Sequence, residues 1–296
     1  MNSFPGRMSS SGTPSEQRPA SKTALAVALL RAFHQLYDGE PKVLDDPVVL
    51  KLLEPQDLNK TKEEFARFES KPAKALRVHV VLRSRYAEDC LASAVSRGIR
   101  QFVSLGSGYD TFAYRQPDWA KELTIFEVDH PASQGAKRRR LTASGIALPP
   151  NLEFVPADFE ASSLRDILAR SSFDFSRPAF FSCLGVLVYL PQEAIDALFR
   201  LVGSLPQSSE LVLTFSSPKS ASGVESGFRQ LAQAAAAVGE PWRTYHEPQA
   251  LRYALAEAGF SSVDFLLPEQ AERLYFAGRA DKLPPPRRAS IARAVV

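Results

Sequence analysis

The sequence predicts an α/β chain, a parallel doubly wound sheet with an all-helical cap in front. Three observations predict it. From Ser21 to about Arg97 the apolar residues recur at helical spacing. From Gly98 onward, short β-like runs alternate with segments long enough for crossover helices. The chain has 296 residues, 45% hydrophobic and 23% charged, enough to bury a core without a metal or disulfide staple.

Residues 1–20 are rich in Ser, Pro and Gly without apolar period and read as a disordered arm. Ser21 suits the N-cap of a first helix running through Ala24, Val27, Ala28 and Leu30. Asp46-Pro47 supplies a cap and a first-turn proline for a second helix. A long helical stretch from Glu63 to Arg97 follows, with Pro72 as a break or start. Residues 21–97 are expected as the cap, 98–280 as the α/β domain, and 281–296 as a Pro- and Arg-rich tail.

The predicted parallel strands are Gln101–Leu105, Thr124–Val128, Glu153–Pro156, Ala179–Cys183 and Glu210–Phe215. A polar, Ala-rich insert spans about 217–245, and a helix over Pro248–Ala258 stops at Gly259. Ser262–Leu267 and Glu272–Ala277 are expected as an antiparallel edge closing the sheet.

Two cysteines, Cys90 and Cys183, cannot build a disulfide framework and fit a reducing, cytoplasmic compartment. No apolar run of about 18 residues is present, so a membrane span and a membrane partner are not expected. The formal charge of +3 does not call for nucleic acid. Lys137-Arg138-Arg139-Arg140 reads as a solvated helix face, since no stacking aromatics interleave with its bases.

The most informative segment is FVSLGSGYDT, Phe102–Thr111. A strand feeds Gly106-Ser107-Gly108, where glycines permit a sharp turn and close approach to a ligand, and a helix is expected next. Asp129 ends the second strand, 21 residues after Gly108, where a nucleotide-binding sheet places a carboxylate on ribose hydroxyls. Thr111 stands where a dinucleotide fingerprint needs its third glycine, and no Walker loop is present. A cofactor with ribose but no phosphate fits better, and S-adenosylmethionine is the common one. Asp158-Phe159 at the third strand end offers a carboxylate for an adenine amino group and a ring for its face. Asp129 and Asp158 are also suited to capping the helices that follow them.

These blocks resemble the leucine carboxyl methyltransferase family of S-adenosylmethionine-dependent enzymes. The resemblance covers about residues 20–215. It rests on Arg83-Ser84-Arg85-Tyr86, LGSGYDTFAYR (Leu105–Arg115), FEVDHP (Phe126–Pro131), FVPADF (Phe154–Phe159) and GVLVYL (Gly185–Leu190). It implies a Rossmann-like class I methyltransferase, a mostly parallel seven-stranded sheet with an N-terminal helical cap. It further implies that Gly106, in the turn with Gly108, passes under the methionine part, that Asp129 takes the ribose and that Asp158 and Phe159 flank the adenine. The resemblance also implies that Arg83 pairs with the cofactor carboxylate and that Lys22 matches a second basic contact. One position departs: Leu184 stands where the family shows an acid near the methionine end, removing a partner for the ammonium group.

The expected activity is O-methylation, with the carboxylate of a small molecule as acceptor. The alternatives are the C-terminal leucine of a type 2A phosphatase catalytic subunit and a non-catalytic binding protein that keeps the fold. A nicotinamide dehydrogenase is disfavoured by Thr111. A carboxylate acceptor is already ionised at neutral pH and needs no general base. A phenol or alcohol would bring His130, His34 or Tyr189 forward as bases. Arg115 is a candidate anchor for an anionic substrate. Tyr189, Trp242, Tyr245 and Phe228 are candidates for shaping the acceptor pocket. No metal is called for.

Overall fold

The computed structural model describes residues 20–159, 161–217, 226–281 and 283–296, with backbone alone for 226–231. The arm expected over residues 1–20 therefore lies, but for Ala20, outside the described residues.

The cap begins with helix α1 (Lys22–Tyr37), whose N-cap Ser21 Oγ accepts the Ala24 N–H at 3.0 Å. Helix α2 (Pro47–Leu52) is capped by Asp46, as its Asp-Pro start predicts. Two short helices, α3 (Pro55–Glu63) and α4 (Phe65–Phe68), lead to α5 (Lys71–Ser96). Ser70 caps α5, and Pro72 falls in its first turn. Buried Arg77 ties these pieces together. It donates to both Asp38 carboxylate oxygens at 2.8 Å and to Glu69 at 2.9 Å, and lies 4.4 Å from the Phe33 ring centroid. Burial alone would raise the Asp38 carboxyl, but hydrogen bonds from His34 and Arg77 outweigh it and hold it below its ordinary value.

Strands β1 (Gln101–Leu105), β2 (Thr124–Asp129), β3 (Leu152–Pro156), β4 (Phe180–Cys183) and β5 (Glu210–Thr214) are parallel. With β6 (Ser262–Phe265) and β7 (Ile291–Val295) they form one sheet in the order β3-β2-β1-β4-β5-β7-β6, β7 running antiparallel to both neighbours. Alternate strand residues feed two apolar layers. Val103, Leu105, Phe126, Phe181 and Leu213 pack under α7 (Leu164–Leu168), α8 (Gln192–Gly203) and α10 (Pro248–Glu257). Phe102, Ile125, Phe180 and Val212 pack under Leu82, Leu91 and Val95 of α5. Helix α6 (Pro131–Ala143) follows β2, and α9 (Ser226–Ala237) lies within the insert.

Three expectations are corrected. The helix expected after Gly108 is absent: two 3-10 turns, Phe112–Tyr114 and Asp118–Ala120, join β1 to β2. Side chains divert the backbone there. Asp110 Oδ1 accepts the Phe112 N–H at 2.9 Å, and Thr111 Oγ1 donates to buried Asp46 at 2.6 Å. The cap helix α5 covers the sheet face that a crossover helix would have taken.

The seventh strand is not Glu272–Ala277. Glu272–Phe276 continues a helical turn begun at Pro268, as one π-helical turn. The strand is Ile291–Val295, inside the expected tail. It buries Ile291, Ala292 and Ala294, while Arg293 pairs with Glu210 at 2.7 Å. Small alanines and the intervening Arg293 hid its apolar face.

The basic run is a solvated face only in part: Arg138 and Arg139 are exposed, but Lys137 and Arg140 are engaged. Lys137 is buried against Glu127 at 2.7 Å, and Arg140 pairs with Asp57 at 2.8 Å. Arg138 lies over Phe154, 5.0 Å from the ring centroid. Lys137 and Arg140 thus lie on the side of α6 that faces β2 and the cap. Among the described residues no helix is long and apolar enough to cross a membrane.

Candidate active site

A cavity of about 230 Å³ opens at the carboxyl ends of β1, β2, β3 and β4, under a roof made by α1 and α5. The strand order reverses between β1 and β4, and ligands of open α/β sheets bind in that crevice. Gly106 (φ 62°) and Gly108 (φ 46°) take the left-handed backbone conformation that bends the chain across its floor. A Cβ on Gly106 would clash with Val186 Cγ2, and one on Gly108 would come 3.2 Å from Ala24 of α1.

Asp129 sits at the end of β2. Its Oδ2 accepts the Gly108 N–H at 2.5 Å and its Oδ1 the His130 N–H at 2.6 Å. Burial raises its carboxyl above the ordinary value, and the two backbone donors oppose that rise. The carboxylate is thus locked in orientation with lone pairs left over on both oxygens. Asp158 and Phe159 line the cavity from the end of β3. An apolar annex of about 40 Å³ shares Leu105, Phe159, Val186 and Leu190 with the main cavity.

Arg83 reaches in from α5. Among the described residues its guanidinium has no hydrogen-bond acceptor and forms no ion pair. Burial pulls its pKa down to about 10, with Arg31 adding to the fall while Tyr189 and Asp110 oppose it. Arg31, on the inner face of α1 with Ala24, Val27 and Ala28, is already engaged. Its Nη2 donates to the Tyr109 carbonyl at 2.7 Å, and its Nε lies 3.1 Å from Asp46 Oδ2.

Of the residues singled out from sequence, Gly106, Gly108, Asp129, Asp158, Phe159, Arg83, Leu184 and Tyr189 line this one cavity. Lys22 does not: it is exposed, off the stripe of α1 that faces inward, and its backbone N–H donates to Glu240 at 2.9 Å. Arg115 also lies outside, its guanidinium held by both Glu88 oxygens and by Thr111. It fastens the loop after β1 to the cap and offers no anchor for a substrate. Trp242 and Tyr245 are not in the lining, although Trp242 and Thr23 interact with the Tyr189 hydroxyl. The side chain of Phe228 is outside the described residues.

Sequence reasoning missed Asp110, Arg31, Ser107 and Glu240, all in the lining. Arg31 carried a signal, a cation on the stripe of apolar residues at 24, 27 and 28. Glu240 carried none. It reaches the cavity only because its carboxylate accepts from Ser21 Oγ at 3.0 Å and from the Lys22 N–H, capping α1 from 218 residues away. His130, a candidate base for a phenol or alcohol acceptor, caps α6: its Nδ1 accepts the Ala132 N–H at 3.3 Å. Its Nε2 is buried without a partner among the described residues.

Residues 24–203 match the leucine carboxyl methyltransferase family. The chain belongs to that family. A relative in Bacillus subtilis strain 168, YktD, named there as a candidate S-adenosyl-L-methionine-dependent methyltransferase, is 31% identical over 287 residues, covering 89% of this chain and 94% of its own length. A similarly named protein of Mycobacterium ulcerans is 34% identical over 152 residues, and the match spans half of each chain. The same fold is found in a solved structure from Thermobifida fusca (TM-score 0.56, 20% identity, 97% of this chain and 98% of that one). A domain-of-unknown-function family protein from Streptomyces avermitilis shares it as well (TM-score 0.53, 19% identity, 95% and 98%). The family match runs from the first turn of α1 to the last residue of α8, so it takes in the four strands that build the cavity and nearly all of the cap.

Proposed function

We propose that this methyltransferase-family chain binds S-adenosylmethionine in the cavity and methylates an oxygen, the carboxylate of a small organic acid. The observation that carries the reading is Arg83: a desolvated guanidinium without an acceptor among the described residues, in the same cavity as the fixed carboxylate of Asp129. A desolvated charge left without a partner costs free energy that a bound anion recovers.

The residues present fit the cofactor. Arg83 offers a planar fork for an amino-acid carboxylate. Asp129 offers two oriented acceptors for vicinal hydroxyls, and Phe159 with the apolar annex suits a purine ring. When bound, the cofactor supplies an electrophilic sulfonium methyl for in-line displacement by oxygen. The chain's own part is alignment and exclusion of water. Arg83 and Asp129 fix the two ends of the ligand, and α1, latched by Glu240, closes over it.

The bases available support this acceptor class. His130 Nδ1 is taken by the helix cap. His34 is outside the cavity, bonded to Asp38 at 2.7 Å and to the Val43 N–H at 3.2 Å. Burial raises the Tyr189 hydroxyl above its ordinary pKa, away from a phenolate. A carboxylate needs none of them. This favours a carboxylic acid over a phenol or alcohol. The C-terminal carboxylate of a protein is the same chemistry and stands as the second reading. Both cysteines are free and buried, which supports a reducing, cytoplasmic setting.

Calorimetry with S-adenosylmethionine and S-adenosylhomocysteine tests the cofactor, and micromolar binding is expected. Labelled methyl transfer to a panel of small acids, and to peptides ending in leucine, tests the acceptor. Base-labile label on a small acid supports the first reading, and label on the peptides alone supports the second. Tight cofactor binding without transfer to any acceptor would favour a non-catalytic binding protein.

A further inference from the structure

The loop after β1 holds a carboxylate that the reading above leaves without a task. Asp110 closes a turn in which its N–H donates to the Ser107 carbonyl at 2.7 Å. Its Oδ1 is taken by the Phe112 N–H. Its Oδ2 has no hydrogen-bond partner among the described residues, and no cation forms an ion pair with it. The side chain lines the same cavity as Arg83.

The other carboxylates in the lining are engaged. Asp129 accepts two backbone N–H groups, Glu240 caps α1, and Asp158 has a partner of its own. The other arginine, Arg31, is neutralised by Asp46. Asp110 and Arg83 are therefore an anion and a cation left over in one cavity. They lie close enough for Asp110 to stabilise the charged guanidinium, yet they do not pair with each other. A gap between opposite charges is what a zwitterion fills, its carboxylate on the guanidinium and its ammonium on the carboxylate. Leu184, beside Gly185 on which the guanidinium rests, contributes no charge.

We propose that Asp110 and Arg83 clamp the α-amino-acid end of the cofactor, with Asp110 Oδ2 accepting from the ammonium and so replacing the acid absent at Leu184. This rests on the cofactor reading above.

The test compares S-adenosylhomocysteine with 5′-methylthioadenosine, which lacks the amino-acid end, by calorimetry on the full chain. Asp110→Asn keeps an oxygen for the Phe112 N–H and removes the charge. It is expected to weaken S-adenosylhomocysteine at least tenfold, as for a lost charge-assisted hydrogen bond, and to leave methylthioadenosine unchanged. Adding Leu184→Glu to Asp110→Asn should restore much of the loss. Equal loss for both ligands with a lowered Tm would mean that Asp110 only shapes the loop, and unchanged S-adenosylhomocysteine affinity would equally overturn the clamp. If the unaltered protein binds neither ligand, the cofactor reading itself fails. If it binds both and Asp110→Asn does not discriminate, only the clamp falls.

Discussion

Gly185 lies directly against the guanidinium of Arg83: a Cβ built on Gly185 would come 2.5 Å from Nη1 and 3.0 Å from Cζ. The glycine also holds φ 76°, and its N–H donates to Thr214 Oγ1 at 2.6 Å. One position thus sets both the backbone turn after β4 and the seat of the unpaired cation. Gly185→Ala should cost about 1–2 kcal/mol of stability from the left-handed conformation alone. It should also push Arg83 out of place and weaken S-adenosylhomocysteine tenfold or more, as read by denaturant unfolding and calorimetry.

Arg83 should trade stability for binding. Arg83→Met removes a desolvated charge that no described residue neutralises. The ligand-free variant should be more stable by about 1–2 kcal/mol, a few degrees in Tm. S-adenosylhomocysteine should raise the Tm of the unaltered protein and leave that of the variant nearly unmoved. A variant less stable without ligand would mean that Arg83 has a structural partner.

His130 separates a capping role from a binding one. Because the Ala132 N–H donates to Nδ1, the neutral ring carries its proton on Nε2, the atom that lacks a partner. Asparagine caps helices well. His130→Asn should keep stability within about 0.5 kcal/mol while lowering cofactor affinity several-fold, since the Nε2 donor is lost. Asp129→Ala should weaken binding at least tenfold, and its loss of the Gly108 acceptor predicts a measurable fall in Tm besides.

His79, one turn before Arg83 on α5, predicts the pH profile of stability. Burial, helped by the Arg83 charge, pulls its pKa down to about 3 from 6.5. Between those values the unfolded chain holds a proton that the folded chain refuses, so stability is full above about 6.5 and falls as pH drops toward 3. His79→Gln should flatten the fall in Tm between about pH 7 and pH 5. An unchanged slope would assign the acid sensitivity to other groups.

Lys137 and Glu127 form a buried pair whose members are 1% and 2% exposed, close enough to full burial that neither can fall back on water. Lys137→Met alone should cost about 3–5 kcal/mol by stranding the carboxylate, and Glu127→Leu in the same chain should return most of it. A double-mutant cycle in urea measures the difference.

The parallel strands were legible because each is a short apolar run, and β1 to β4 each end at or just before a residue that lines the cavity. β1 begins and ends where its pattern places it, and β2 to β5 shift by a single residue at an end. The cavity floor was legible for the same reason, as Gly106, Asp129 and Asp158 all lie at or just after strand ends. What stayed hidden depends on distant partners. Thr111 and Arg115 spend their polar groups on Asp46 and Glu88, so the loop after β1 cannot become the helix its position suggested. Lys22 and Lys137 were given each other's surroundings, one placed at the site and one in solvent. A lysine's burial is decided by what packs opposite, and Glu127 is ten residues away on another element. β7 escaped because IARAV has too little apolar bulk to show an alternation until Glu210 supplies a partner for Arg293.

The place of β7 has a consequence for how the molecule is made. It is translated after β5 and β6, yet it is the strand that joins them. Until it emerges, β5 ends one open sheet edge and β6 has no neighbour in the sheet, and unpaired edges invite pairing with other chains. The five parallel strands and their cavity can form on the ribosome. The far side must wait until Ile291–Val295 has been released. A nascent or truncated chain stopping short of Ile291 would carry a nearly finished cofactor site on a body prone to aggregate.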